Sequence, residues 1–278
     1  MIAALIIVFR EMIEAGLIVG IVMAVTRGVP GRGRWIVGGL CGGLAGAVLI
    51  AAFTDVISNA LSGMGQEVFN AAVLGFAVIM LAWHNIWMAR HGRDMAQELK
   101  GVGEEVRDGH RSLLALAVVV GVAVLREGAE VVLFLYGVMI QGGETVTSMV
   151  IGSLAGVALG GGVSTLTYLG LAKIPPRLLF SVTTGLITFL AAGMAAQSTL
   201  FLEHAGLVSV LDAQAWDTSA ILSDTSLTGR VLHTLIGYND GPTILQVCVY
   251  LVVLGGIFTL TRLLRPAPRA AQLKAATA

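Results

Sequence analysis

Two short runs carry the same charged pattern inside apolar surroundings, Arg10-Glu11-Met12-Ile13-Glu14 and Arg126-Glu127-Gly128-Ala129-Glu130. If each is helical, a rotation of about 100° per residue puts the second Glu at about 40° and the first at about 100° from the Arg, so all three share one arc. Each ionised residue at the centre of a membrane helix costs roughly 2.5–3.5 kcal/mol, and such groups face an interior cavity. If the two helices face each other, Glu11, Glu14, Glu127 and Glu130 converge with Arg10 and Arg126. The i,i+4 spacing pairs Arg10 with Glu14 and Arg126 with Glu130, leaving Glu11 and Glu127 as the freer carboxylates. Four carboxylates and two guanidiniums leave a negative site that a polyvalent cation would balance. All-oxygen donors suit a hard cation, and no span holds a Cys pair or a His pair that would favour copper or zinc. The competing reading is two buried salt bridges that lock helix packing, which leaves the extra Glu of each motif without a reason to be there.

The elements that must position these groups follow from composition. Of 278 residues, 56% are hydrophobic and 12% charged, with mean hydropathy +0.87. A soluble domain carries about twice that charge, so the solvent of this chain is lipid and nucleic acid is not a partner. About 20 apolar residues cross a bilayer as a helix. Runs of that order lie near 1–26, 35–56, 68–89, 113–140, 149–171, 178–202 and 243–264. The expectation is an all-α polytopic membrane protein of seven transmembrane helices. The first run has no basic leader segment and carries Arg10, Glu11 and Glu14, so it reads as a retained helix and not a signal peptide. Alternate connections hold Arg27, Arg32 and Arg34; Arg90, Arg93, Lys100, Arg107 and Arg111; Lys173 and Arg177; and Arg262, Arg265, Arg269 and Lys274. That is 14 of the 17 basic residues, whereas the opposite set holds Arg230 alone. The positive-inside rule then puts the N-terminus outside and the C-terminus inside. Acidic residues favour the outer set: Asp55, Glu67, Glu144, Glu203, Asp212, Asp217, Asp224 and Asp240. Cys41 and Cys248 read as small packing residues within spans.

The motifs lie 116 residues apart, and two rows of glycines every fourth residue, Gly38/Gly42/Gly46 and Gly152/Gly156/Gly160, recur at nearly that offset. Such rows allow close helix approach in lipid. Spans one to three therefore look related to spans four to six, with opposite direction through the membrane, as in transporters built from inverted repeats. Repeat A covers about 1–90, a mixed-charge cytoplasmic connector 91–112, repeat B about 113–202, an external loop 203–242, a final helix 243–265 and a cytoplasmic tail 266–278. The connector reads either as a helical extension or as a loop. In the external loop, Asp224 or Ser226 is a candidate N-cap for a short helix carrying Leu227, Val231, Leu232, Leu235 and Ile236, ended by Gly237. That helix would lie on the outer surface or plug the outer mouth.

Weaker polar candidates remain. His84 and Asn85, between Trp83 and Trp87, read as part of an aromatic membrane belt. Glu203, His204, Asp212, Asp217 and Asp224 are candidate entry or path residues for a cation. Gln197, Ser198 and Thr199 either line a path or bond backbone carbonyls.

Two Arg-Glu-x-x-Glu motifs in the first and fourth of seven spans, and the stretch DTSAILSDTSLTGRVLHTLIGYNDGP (217–242), resemble the oxidase-dependent iron transporter family, which includes fungal high-affinity iron permeases and bacterial ferrous-iron uptake permeases. The hallmark of that family is Arg-Glu-Gly-Leu-Glu in both spans; REGAE keeps the glycine, whereas REMIE places Met12 there. The resemblance covers essentially the whole chain. It implies a permease, not an enzyme, that imports iron across the plasma (inner) membrane, with the glutamates of both motifs handling the ion. It implies Fe3+ generated from Fe2+ by an extracytoplasmic iron-oxidising or iron-binding partner, iron as cargo, and no permanently bound cofactor. The alternatives are a transporter or proton-coupled exchanger of another hard cation such as Mn2+ and, more distantly, an intramembrane di-iron oxidase. The last would usually carry Glu-x-x-His motifs on two helices, and no span has one.

Overall fold

The computed structural model describes residues 1–60, 65–142, 145–171 and 176–264. Glu144, Lys173, Arg265, Arg269 and Lys274 of the charge pattern lie outside the described residues, as do the side chains of Asp55, Arg93 and Arg177. The described residues form eight helices: α1 (Ile2–Val25), α2 (Arg32–Ala60), α3 (Gln66–Arg107), α4 (Leu114–Gln141), α5 (Val146–Tyr168), α6 (Pro176–His204), α7 (Leu227–Ile236) and α8 (Ile244–Leu263). Among the described residues, five stretches are long and apolar enough to cross a membrane: Arg32–Phe53, Gln66–Met88, Val146–Tyr168, Leu178–His204 and Ile244–Leu263. Helices α1 and α4 have 24 and 28 residues, but each carries the three ionised residues of a motif. The remaining helix, α7, has 10 residues.

Local chemistry sets several boundaries. Thr145 and Thr243 open α5 and α8 with reciprocal capping boxes, pairing with Ser148 and Gln246. Ser226, not Asp224, caps α7 by accepting from the Gly229 N–H, and Gly237 closes it at φ +70°. The connector is a helical extension: α3 continues unbroken to Arg107 for 42 residues, about 63 Å, roughly twice the hydrocarbon thickness.

The glycine rows determine which helices touch. On α5, Cβ atoms at Gly152, Gly156 and Gly160 would run into α1, meeting the Ala4 side chain, the Leu5 carbonyl and the Met12 side chain. On α2 the docking row is Gly39 and Gly43, which meet Ala117 and Gly121 of α4, followed by Ala47 against Gly128. Gly38 and Gly42 meet nothing within 4 Å, and only Gly46 of that row touches a neighbour, Leu125. The functional row on α2 is thus displaced by one residue from the sequence expectation. The two seams also correspond: Met1, Leu5, Phe9 and Met12 of α1 take the contacts that Ala117, Gly121, Leu125 and Gly128 take on α4, each pair 116 residues apart.

Around the resulting α1–α4 centre pack α3 and α6, with α8 against α6. One apolar cluster holds Ile7, Leu74, Leu81, Phe134 and Met194; a second, at the other end of α1 and α4, holds Val22, Ile36, Leu116 and Val120. Large apolar side chains cover the exterior of α2, α5 and α8, including Leu49, Phe53, Leu154 and Val252, as a lipid-facing surface requires. Cys41 and Cys248 are unpaired and exposed there, not packed inside.

Candidate functional site

Helices α1 and α4 bring both charged motifs to one buried centre between the two apolar clusters. Arg10 is enclosed, with 2% of its side chain exposed; Nη1 donates to Glu11 Oε1 at 2.8 Å and Nη2 contacts Glu14 Oε1 at 2.9 Å. Arg126 is 34% exposed; its Nε donates to Glu130 Oε1 at 3.1 Å, and its guanidinium lies 4.6 Å above the Trp87 ring. Both expected i,i+4 pairs therefore form. The expectation for Glu11 is corrected, because Arg10 grips it as well as Glu14. The remaining oxygens decide the chemistry: Glu11 Oε2 and Glu127 Oε2 are buried and have no hydrogen-bond partner among the described residues. Such atoms are costly unless something completes them.

His84 is the residue the sequence reading missed. It is 1% exposed, so it is not part of a membrane belt; α3 carries it to the joint between the motifs. Its Nε2 lies 3.2 Å from Glu14 Oε2, and its Nδ1 contacts Glu130 Oε2. Asn85 is equally buried, with neither amide atom partnered among the described residues. Trp83 does face outward, but Trp87 stacks on Arg126 and His91. A signal was available. Leu74, Ala77, Val78, Leu81, His84 and Asn85 continue one buried stripe at helical spacing, which Trp83 leaves.

Glu11, His84, Glu127 and Glu130 each offer a ligand atom, and these atoms lie within 4.8 Å of one another, all buried. Glu14 stands beside this group, holding Arg10 and His84.

The candidate path residues are elsewhere. Glu203 accepts from the Thr243 hydroxyl at 2.9 Å and ties the end of α6 to the start of α8. His204, Asp212 and Asp217 are exposed. Asp217 forms a turn with Ser219, whose hydroxyl and N–H donate to it and lower its pKa. Burial pushes the Asp224 carboxyl up, although its own N–H is taken by Asp240 Oδ2 at 3.0 Å. Ser198 donates to the Ala71 carbonyl and Thr199 to that of Ala195, whereas Gln197 lines a cavity.

That cavity, about 190 Å³, is bounded by Gln197 and Gly193 of α6, Trp216, His233 and Tyr238 of the long loop, and Gln246 of α8. At its floor Gly237 packs on the Gly193 backbone, and the Tyr250 hydroxyl donates to the Ile236 carbonyl. Gly193 lies 11 residues before the end of α6, about 16 Å along the axis. So the C-terminal end of α7 packs against the body of α6, while Thr228, Arg230 and Ile236 stay exposed. Ile7, Leu81 and Phe134, of the apolar cluster that also holds Met194, each lie about one turn from Glu11, His84 and Glu130 respectively.

A model of the family described as "Iron permease FTR1 family" matches residues 1–276. A protein of Escherichia coli O6:K15:H31 named ferrous iron permease EfeU is 31% identical over 252 residues, covering 89% of this chain and 90% of its own. The protein of that name from Yersinia pestis is also 31% identical, over 89% of this chain and 88% of its own. No solved structure matches.

Proposed function

The chain belongs to the iron permease FTR1 family, and from that premise we propose that it imports iron across the plasma (inner) membrane through one midplane site built by its two Arg-Glu-x-x-Glu motifs. It is a transporter and not an enzyme. The observation that carries the reading is the convergence of Glu11, Glu127 and Glu130 in one buried group, whose carboxylates include oxygens with no donor among the described residues. Arg10 and Arg126 orient the carboxylates and moderate their charge; Glu14 fixes Arg10. An extracytoplasmic iron-oxidising partner, passing the electron to its own acceptor, generates Fe3+ from Fe2+ outside the membrane, that partner or an iron-binding one delivers it, and the carboxylates suit that hard cation. Iron is cargo here, with no permanently bound cofactor.

In this reading α1 and α4 also cross the membrane, giving seven spans with the N-terminus outside, and spans one to three and four to six form an inverted repeat. The matched α1–α5 and α2–α4 seams support the repeat. They also argue against rocking of the repeats as rigid halves, because each seam joins one repeat to the other. Access alternates instead by movement of α3 and α6 against the α1–α4 centre.

The test is uptake of radiolabelled iron into an iron-uptake-deficient host carrying the wild type, Glu11→Gln or Glu127→Gln, at matched membrane levels. Each variant should lose about tenfold or more of the uptake. Unimpaired uptake in both would confine the glutamates to packing.

A further inference from the structure

We propose that His84 is the nitrogen ligand of the ion site, joining Glu11, Glu127 and Glu130 around the ion and biasing the site toward iron over cations that prefer oxygen alone. The inference rests on the iron-permease reading above and adds to it the residue that sets specificity.

Three observations carry it. The first is position. Ligand atoms sit about 2.0–2.6 Å from a bound cation, so they stand at most about 4–5 Å apart across it. The four candidate atoms already lie within 4.8 Å of one another, a group that needs little contraction to close. The second is the way the ring is held. Its nitrogens face opposite motifs, Nε2 toward Glu14 on α1 and Nδ1 toward Glu130 on α4, with Arg126 Nη2 3.5 Å from Nδ1, so an ion entering beside Glu130 and displacing that guanidinium meets a nitrogen already aimed at the site. Trp87, one turn further on α3, packs under Arg126 and holds that face of α3 against α4. The third is what a purely structural role leaves out. A strut between Glu14 and Glu130 accounts for those two carboxylates, yet Glu11 Oε2 and Glu127 Oε2 in the same buried group have no donor among the described residues. Glu11 and Glu127 lie within hydrogen-bond reach of each other, so a shared proton or a cation must hold them together, and the histidine is part of that group.

The chemical consequence follows from donor type. Carboxylate and carbonyl oxygens alone suit Mg2+, Ca2+ and Mn2+, whereas imidazole suits iron and its later neighbours in the first transition row. Three carboxylates and one imidazole retain affinity for a hard, highly charged ion while disfavouring the abundant oxygen-seeking divalent cations. His84 comes from α3, outside both motifs, so this selectivity is separable from the glutamate machinery.

The experiment uses the purified full-length protein in lipid nanodiscs, loaded with iron alone, and reads iron X-ray absorption for the outer-shell scattering of an imidazole. The wild type should show it and His84→Gln should not. In cells, the excess of Mn2+ needed to halve radiolabelled iron uptake should fall about tenfold or more in His84→Gln. An imidazole-free wild-type spectrum, or an unchanged competition ratio in a variant that reaches the membrane, overturns the proposal. If His84→Gln does not accumulate, the wild-type spectrum alone decides. A wild type that carries iron without an imidazole ligand defeats only this inference; one that neither binds nor carries iron defeats the permease reading itself.

Discussion

At the scale of single residues, the two arginines occupy equivalent motif positions in unequal surroundings. Arg10 is sealed between Glu11 and Glu14, so Arg10→Gln strands two carboxylates in a dry interior. Removing one partner of a buried pair costs roughly 3–5 kcal/mol. Arg126 is a third exposed, rests on Trp87 and pairs with one carboxylate, the buried Glu130, which His84 also contacts, so its loss strands one carboxylate that keeps a second partner. Arg10→Gln should therefore cut the folded fraction recovered in detergent and lower its melting temperature more than Arg126→Gln does. Equal losses would show that the enclosure of Arg10 has no energetic consequence. The carboxylates and their arginine partners were legible because ionised groups in an apolar run have few explanations. His84 was not, because a lone histidine between two tryptophans has the composition of a membrane belt. Only the continuation of the stripe from Leu74 through Leu81 indicates which way it points.

At the scale of helices, the α1–α5 and α2–α4 seams account for the departure of the first motif from its family pattern. Met12 fills the position that Gly128 holds in the second motif, and it packs on Gly160, whereas Gly128 packs on Ala47. The side-chain volume has moved across the seam. Gly128→Met should therefore overpack α4 against Ala47 and destabilise by about 1–3 kcal/mol. Adding Ala47→Gly recreates the Met12–Gly160 arrangement and should recover much of that loss, while Gly38→Ala, with nothing within 4 Å, should be silent. Thermal unfolding in detergent distinguishes these outcomes; no recovery in the double variant would refute the exchange of volume. The four-residue glycine period was plain in the sequence, but the choice between Gly38/Gly42 and Gly39/Gly43 was not. In a soluble helix a polar face fixes the rotation, and α2, apolar all round and bathed in lipid, has none.

At the scale of the whole molecule, composition alone showed a helical membrane protein, because no polar shell could be built from 12% charged residues. The partnership of helices was hidden. A repeated pattern in the sequence does not say which helices touch, and here the glycine rows of α5 and α2 dock on the motif-bearing helices α1 and α4. That interlocking constrains how an ion can enter. In the proposed permease, iron passing from the cavity beside Gly193 and Gly237 to the glutamates would cross the level of Ile7, Leu81 and Phe134, and that layer would have to open. The glycine seams hold α1 to α5 and α2 to α4, leaving the boundary between α3 and α4 as the place to part. Ala77 and Gly137 face each other across it within the apolar layer, where a Cβ on Gly137 would stand 3.5 Å from that of Ala77. That spacing accepts a disulfide, provided the flexible end of Met194 moves aside. With Cys41 and Cys248 replaced by serine, Ala77→Cys/Gly137→Cys should transport iron when reduced, stop when oxidised and recover on adding reductant. Undiminished transport by the fully cross-linked protein would mean that α3 and α4 stay together while iron passes, and the opening would then have to be sought between α1 and α6.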